Sequence, residues 1–172
     1  SRSRREYVER LGSVGIDVSP EAISTSAQAT AHYLLEHRPQ GKRLFVLGTE
    51  GLKEDLREAG FEIVDERPQA VVVGFDTSLT YDQLAQTAYW IAQQLPYVAT
   101  HPDRVCPTDQ PIVLPDCGAI CALLESATGR RPCGRVGSAD MRRAAPPSST
   151  ARTADRRAEP WRSTAAAPLW AA

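Results

Sequence analysis

The chain has 172 residues, 42% apolar and 24% charged, with a formal net charge of −1. That length accommodates one α/β domain with a tail, and no run approaches the ~20 apolar residues of a membrane span. The near-neutral charge removes the electrostatic case for nucleic acid or an anionic membrane surface as partner.

Residues 1–10 are polar and charged, unlike a signal peptide. Four cysteines without secretory context predict reduced thiols in a cytoplasmic protein. Without an initiator Met, the chain is expected to begin partway through a longer one. Tyr7, Val8 and Leu11 give one apolar face to a first helix that fades over residues 12–15. Ser19-Pro20-Glu21 joins an N-cap to a proline at the first helical position and predicts a short second helix. Ser26 is the expected cap of a third, with Ala27, Ala31 and Leu34 stacked along one face before Pro39.

Leu44-Phe45-Val46-Leu47-Gly48 is the short apolar run of a parallel strand covered on both faces. Thr49 opens a helix with Leu52, Leu56 and Ala59 inward, and Gly60 supplies its left-handed stop. Residues 61–64 form a second strand, and Ala70-Val71-Val72-Val73-Gly74-Phe75 a third. Thr80 and Gln83 make a capping box for a helix burying Leu84, Ala88, Ile91 and Leu95. Tyr97-Val98-Ala99 is a fourth strand, followed by a proline-rich loop. Asp116 opens the next helix, with Ile120, Leu124 and Ala127 inward and Gly129 closing it. Repeated strand-then-helix order predicts an α/β fold with a mainly parallel, helix-covered sheet.

The composition changes abruptly near residue 132. Residues 1–132 carry 13 Lys and Arg against 18 Asp and Glu, a net of −5; residues 133–172 carry seven Arg and three acids, a net of +4. The second segment holds eleven Ala and, from the larger aliphatic set, only Val136 and Leu169. With so little to bury it cannot offset its ordering entropy, so a disordered or poorly packed tail is expected.

Ligands of open parallel sheets bind beyond the carboxyl ends of the strands. Gly48-Thr49-Glu50 lacks the spacing of a phosphate-binding loop and reads as a helix cap. Asp76 has the position of a carboxylate nucleophile, but Ser78 stands where a second acid would strengthen that reading. A loop acid beside a helix start is the simpler account. Thr100, His101, Asp103, Arg104 and Cys106 place polar groups on a proline-bounded loop, where either binding groups or a solvated turn would fit. His101, Cys106, Cys117 and Cys121 offer zinc-type ligands, yet their spacing matches no paired pattern. Cys117, Cys121 and Leu124 instead fall on one helix face, as small core residues do.

Three segments carry a resemblance: Ala99-Thr100-His101-Pro102-Asp103-Arg104, Pro115-Asp116-Cys117-Gly118-Ala119-Ile120 and Ala127-Thr128-Gly129-Arg130-Arg131-Pro132. Together with Val71-Val72-Val73-Gly74, Asp76 and Thr80-Tyr81, this pattern resembles the NagD-like, para-nitrophenylphosphatase branch of the haloacid dehalogenase superfamily. The resemblance implies a Mg²⁺-dependent hydrolase of small phosphate monoesters (sugar, glycerol or glycolate phosphates) acting through an aspartyl-phosphate. It implies that residues 1–18 are a remnant of the core helix and linker, 19–132 the substrate-selecting cap domain, and 133–172 the tail.

On that mapping the two N-terminal catalytic motifs precede Ser1, and Ser138 and Ala139 replace the lysine and proline of a G-K-P motif. The chain is then expected to be inactive alone, with no catalytic residue and no metal ligand of its own. Mg²⁺ would belong to the full-length relative. A translation frame shifted near codon 133 is the hypothesis for the tail; sequencing the coding DNA and finding no frame that restores the motif would refute it. His101 stands where most relatives carry Asn. Cys106 stands where pyridoxal phosphatases carry a substrate-contacting His, which argues against that substrate. His101, Asp103 and Cys106 are therefore the expected substrate-binding residues. The expected partner is a small phosphorylated metabolite, and the resemblance allows a homodimer through the cap. Two alternatives remain, a non-catalytic α/β binding or interaction module and a zinc-stabilised α/β domain.

Overall fold

Apolar β-branched runs with both faces covered build the centre of the molecule. The computed structural model describes residues 3–37, 41–108 and 111–136. Five strands lie side by side: β1 (Arg43–Leu47), β2 (Glu62–Ile63), β3 (Ala70–Val73), β4 (Tyr97–Ala99) and β7 (Gly134–Arg135). Their order is β2-β1-β3-β4-β7 and every pairing is parallel. Leu44 lies opposite Ala70, and Val71 opposite Tyr97, so the central three strands run in step. A second, antiparallel pair joins β5 (Val105–Cys106) to β6 (Leu114–Pro115).

Strand alternation divides the core into two layers. Leu44, Val46, Ala70, Val72 and Val98 pack with Ala27, Ala31 and Leu34 of α2 (Ser26–His37) and with Leu52 and Leu56 of α3 (Glu50–Glu58). Phe45, Leu47, Val71, Val73, Tyr97 and Ala99 face the other way. They meet Ile91 of α4 (Tyr81–Ala92) and Cys117, Ile120, Cys121 and Leu124 of α5 (Cys117–Thr128). The expected α/β fold with a parallel, helix-covered sheet is what forms. Among the described residues no helix is long and apolar enough to cross a membrane.

The punctuation works largely as read. Thr49 caps α3, Thr80 and Gln83 close a capping box on α4, Asp116 caps α5, and Gly60 and Gly129 carry positive φ after their helices. Three local expectations change. The cap of α2 is Thr25, whose hydroxyl accepts from the Gln28 amide while the Gln28 side chain accepts from the Thr25 amide. Residues 20–22 form a single 3₁₀ turn, too short for an α-helix. Ala127 is exposed, the buried side of α5 ending at Leu124.

Residues 133–136, whose composition belongs to the second segment, pair with the sheet. The Cys133 amide donates to Tyr97 O at 2.8 Å and the Val136 amide to Ala99 O at 3.0 Å, making a fifth strand at the sheet edge. Val136 is buried, and Gly134 lies under Tyr33, where a Cβ would sit 2.5 Å from the ring. Two apolar contacts and the open edge of β4 suffice to order these residues despite the composition around them. The expectation of a disordered tail over residues 137–172 lies outside the described residues.

Helix α1 (Arg4–Ser13) begins with a capping box between Ser3 and Glu6 and buries none of its residues. Of the expected apolar face, Tyr7 is exposed and Val8 and Leu11 are half-buried. Its anchor is polar: the Arg4 amide donates to Asp55 Oδ1 at 3.2 Å, and Thr25 Oγ1 donates to Asp55 Oδ2 at 3.0 Å.

Candidate functional site

Strand β4 delivers Thr100 and His101 to the carboxyl edge of the sheet, and α5 begins directly beside them. Thr100 is held by its amide bond to Val73 O at 2.9 Å. His101 Nδ1 lies 2.8 Å from Thr100 Oγ1, and His101 Nε2 lies 2.8 Å from Asp116 Oδ1. The same Asp116 oxygen accepts from the Cys117 amide at 2.7 Å. The loop then folds back onto α5, with the Asp116 amide donating to Arg104 O at 3.0 Å and the Gly118 amide to Asp103 O at 2.7 Å. Asp116 is buried, His101 half-buried and Asp103 exposed.

His101 and Asp103 are therefore brought together, with Asp116 beside them. Cys106 is not part of that network. It lies on β5 opposite Leu114, half-buried, with its thiol 3.7 Å from Pro107 O. Sequence reasoning assigned Asp116 only a capping role. Its second role depends on a fifteen-residue separation that no local spacing reveals. The one available signal was an acid directly before a helix that follows a His-Pro-Asp turn.

Cys117 occupies the first turn of α5 and is buried. Its sulfur donates to Val73 O at 3.2 Å and receives Thr100 Oγ1 at 3.8 Å. The Cys121 thiol bonding to this sulfur is the main cause that brings the Cys117 thiol down to about 6; His101 and Thr100 act in the same direction and burial opposes them. The bond to Val73 O is available only to the neutral thiol and works against the shift.

Three potential metal-ligand side chains converge here, although both His101 nitrogens are already hydrogen-bonded. Ligand atoms of His101, Asp103 and Asp116 lie within 4.8 Å of one another, and among the described residues they form the one such group. Cys106, Cys117 and Cys121 do not join it, so the four-ligand zinc arrangement does not assemble. Asp76 is buried at the end of β3, where its Oδ1 accepts from the Ser78 amide at 2.8 Å and hydroxyl at 2.6 Å. That turn supports the loop-acid account. A cavity of about 250 Å³ adjoins it, lined by Phe75, Asp76, Thr77, Leu79, Leu114, Pro115 and Ile120. None of the three expected substrate-binding residues lines it.

Comparison with known proteins gives this geometry its family. The family described as "Haloacid dehalogenase-like hydrolase" matches residues 1–62. The chain is 36% identical over 132 residues to the ribonucleotide monophosphatase NagD of Escherichia coli (strain K12), covering 77% of this chain and 50% of that protein. It is 35% identical over 133 residues to the acid sugar phosphatase of Staphylococcus aureus (strain USA300), covering 77% and 51%. The crystal structure of 4-nitrophenylphosphatase from Thermotoga maritima superposes with a TM-score of 0.75 at 38% identity, over 80% of this chain and 52% of that one. The chain thus spans about half the length of the curated relatives it matches. It belongs to the haloacid dehalogenase-like hydrolases, in their NagD and p-nitrophenylphosphatase branch.

Proposed function

We propose that this chain is the substrate-selecting cap portion of a Mg²⁺-dependent phosphatase for small phosphate monoesters, and that it does not turn over substrate alone. The observation that carries the reading is the loop at the end of β4. It presents the exposed Asp103 carboxylate on a backbone pinned to α5 by the Gly118 and Asp116 amides. The names of its relatives support phosphate ester hydrolysis as the reaction class.

The chemistry of the loop supports a division of labour. A carboxylate repels a phosphate dianion, so Asp103 faces the leaving group and accepts hydrogen bonds from its hydroxyls. The His101 ring, with both nitrogens engaged, supplies a flat wall to the same site. Cys106 adds a small, weakly polar surface from the hairpin. Such contacts raise selectivity through the group the enzyme releases, while charge neutralisation at phosphorus lies elsewhere.

The described residues do not fit the family's Mg²⁺. Mg²⁺ requires oxygen ligands in near-octahedral array. Asp76 Oδ1 is engaged by the Ser78 amide and hydroxyl, and the group at His101 includes an imidazole whose Nε2 already bonds to Asp116. The carboxylates that hold the metal are proposed to lie outside this chain. In this reading residues 1–18 are core and linker, and the cap extends from 19 through Val136.

Hydrolysis of p-nitrophenyl phosphate with and without Mg²⁺ tests the proposal, comparing the 172-residue chain with the product of its reading frame extended upstream. Activity confined to the extended protein is expected. Turnover by the chain itself, abolished by Asp76→Asn, would overturn it. No turnover by either favours a non-catalytic binding module.

A further inference from the structure

We propose that Asp116 is a positioning residue that locks the His101 imidazole and, through it, the loop that presents Asp103. The part concerning Asp103 rests on the function proposed above; the part concerning the ring does not.

The simpler account makes Asp116 a helix cap. It does cap α5, through the 2.7 Å bond from the Cys117 amide. Capping alone has no need of the second partner that the same oxygen holds, His101 Nε2 at 2.8 Å. A carboxylate can only accept, so Nε2 carries the proton. In the neutral ring Nδ1 then accepts the one Thr100 hydroxyl proton at 2.8 Å, in preference to the longer 3.8 Å contact of that hydroxyl with the Cys117 sulfur. Tautomer and ring orientation are thus set by two groups, one at the end of β4 and one at the start of α5. Side-chain exposures of 20% for His101 and 9% for Asp116 keep water from competing freely for the bond.

The loop's backbone is fastened to the same place. Residues 102–104 are bridged to α5 by Gly118 N–H to Asp103 O and by Asp116 N–H to Arg104 O. Gly118 makes the approach possible, since a Cβ there would lie 2.2 Å from Pro102 O and 2.8 Å from Asp103 O. One turn of helix therefore holds the loop by backbone on one side of Asp103 and by the His101 ring on the other. His101 has no ring nitrogen left for a ligand, and the exposed acceptor of this loop is Asp103.

Substitutions at Asp116 separate the two roles. Serine caps helices as well as aspartate does but is one bond shorter, so Asp116→Ser keeps the cap and loses the ring. Asparagine retains an oxygen that accepts from both partners. Long-range ¹H–¹⁵N spectra of the full chain, with His101 assigned by His101→Gln, are expected to show one Nε2–H tautomer in the wild type and in Asp116→Asn. Asp116→Ser, folded by circular dichroism, is expected to show averaged tautomers. A ring already averaged in the wild type, or one still locked in Asp116→Ser, overturns the proposal.

The kinetic readout uses the upstream-extended protein with glycerol 3-phosphate. Asp116→Ser is expected to raise KM about tenfold with kcat changed less than about twofold, the sign of lost binding rather than lost chemistry, and Asp116→Asn to rescue it. An unlocked ring with unchanged KM overturns the link to Asp103. If the parent protein hydrolyses neither this ester nor p-nitrophenyl phosphate, the proposed function has failed and the ring spectra decide the positioning role.

Discussion

Two buried carboxylates fasten two parts of this molecule, and they do so with different partners. Asp55, on α3, receives the Arg4 amide and the Thr25 hydroxyl, and so joins α1 to the body through neutral donors. Asp116, at the head of α5, receives the Cys117 amide and the His101 ring. At the first joint burial is the main effect and raises the Asp55 carboxyl above its ordinary value, against the bonds from Arg4 and Thr25. A joint of that kind holds helices together and exposes no functional group. At the second joint the carboxylate holds the His101 ring, while the backbone amides of Asp116 and Gly118 hold the loop that carries an exposed acid. Under the proposed function the same device serves a ligand site, because one of its donors belongs to a strand end of the kind where ligands of parallel sheets bind.

The strongest way to break the loop joint is Gly118→Ala. The added Cβ meets backbone oxygens that cannot rotate away, so α5 and residues 102–103 must separate. A loss of about 3 kcal/mol in urea unfolding is expected, at the upper end for overpacking. Unchanged stability together with an unchanged His101 ring signal would count against this close seat of the loop on α5.

Asp55→Ala tests the other joint and should cost about 2 kcal/mol, because it strands the Thr25 hydroxyl and the Arg4 amide. Asp55→Asn keeps an acceptor and removes the buried charge. Because the folded carboxyl titrates above its unfolded value, its contribution is complete below the unfolded pKa and declines as pH rises through the folded one. The asparagine variant should therefore flatten the dependence of Tm on pH in the acid range. A parallel pair of Tm profiles would remove Asp55 as its source.

A smaller effect sharpens the comparison at Cys117. With the folded thiol lowered to about 6, its contribution to stability is present above the unfolded thiol range and is lost as pH falls through 6. Thiolate absorbance in the ultraviolet should show a component with a midpoint near 6 that Cys117→Ser removes. Absence of that component would mean that the bond to Val73 O keeps the thiol neutral.

Gln94→Gly is the control outside both joints. Gln94 ends α4 at φ 65°, where Gly129 ends α5 at φ 70°. Relief of left-handed strain, about 1–2 kcal/mol, is largely offset by the greater entropy glycine loses on folding, so a gain below about 1 kcal/mol in urea unfolding is expected. A destabilised variant would show that the Gln94 side chain contributes packing.

Much of the fold was legible because its signals are local. The apolar runs at 44–47 and 70–73, the capping box of Thr80 and Gln83, and the glycines at 60 and 129 each act within one turn or strand. The misread positions are those where a neighbour in space decides. Thr25 displaces Ser26 as a cap because Gln28 closes a box with it and Asp55 takes its hydroxyl proton. Gly134 and Arg135 become a strand, with Cys133 and Val136 bonded to β4 on either side, because β4 presents an open edge, although their own composition belongs to the tail.

At the candidate site, residue identity came from the sequence and arrangement from the fold. His101 and Asp103 could be named because they follow a strand, and the family resemblance rests on the same residues. The sequence by itself determined the order of elements and the polar character of the loop, since these depend on propensity, periodicity and capping. Only the tertiary structure decided that both nitrogens of His101 are engaged, that Asp116 holds one of them, and that Gly118 must lack a side chain. The physical reason is that hydrogen bonds and steric exclusion between β4 and α5 depend on how two elements pack, and no single element's pattern encodes that distance.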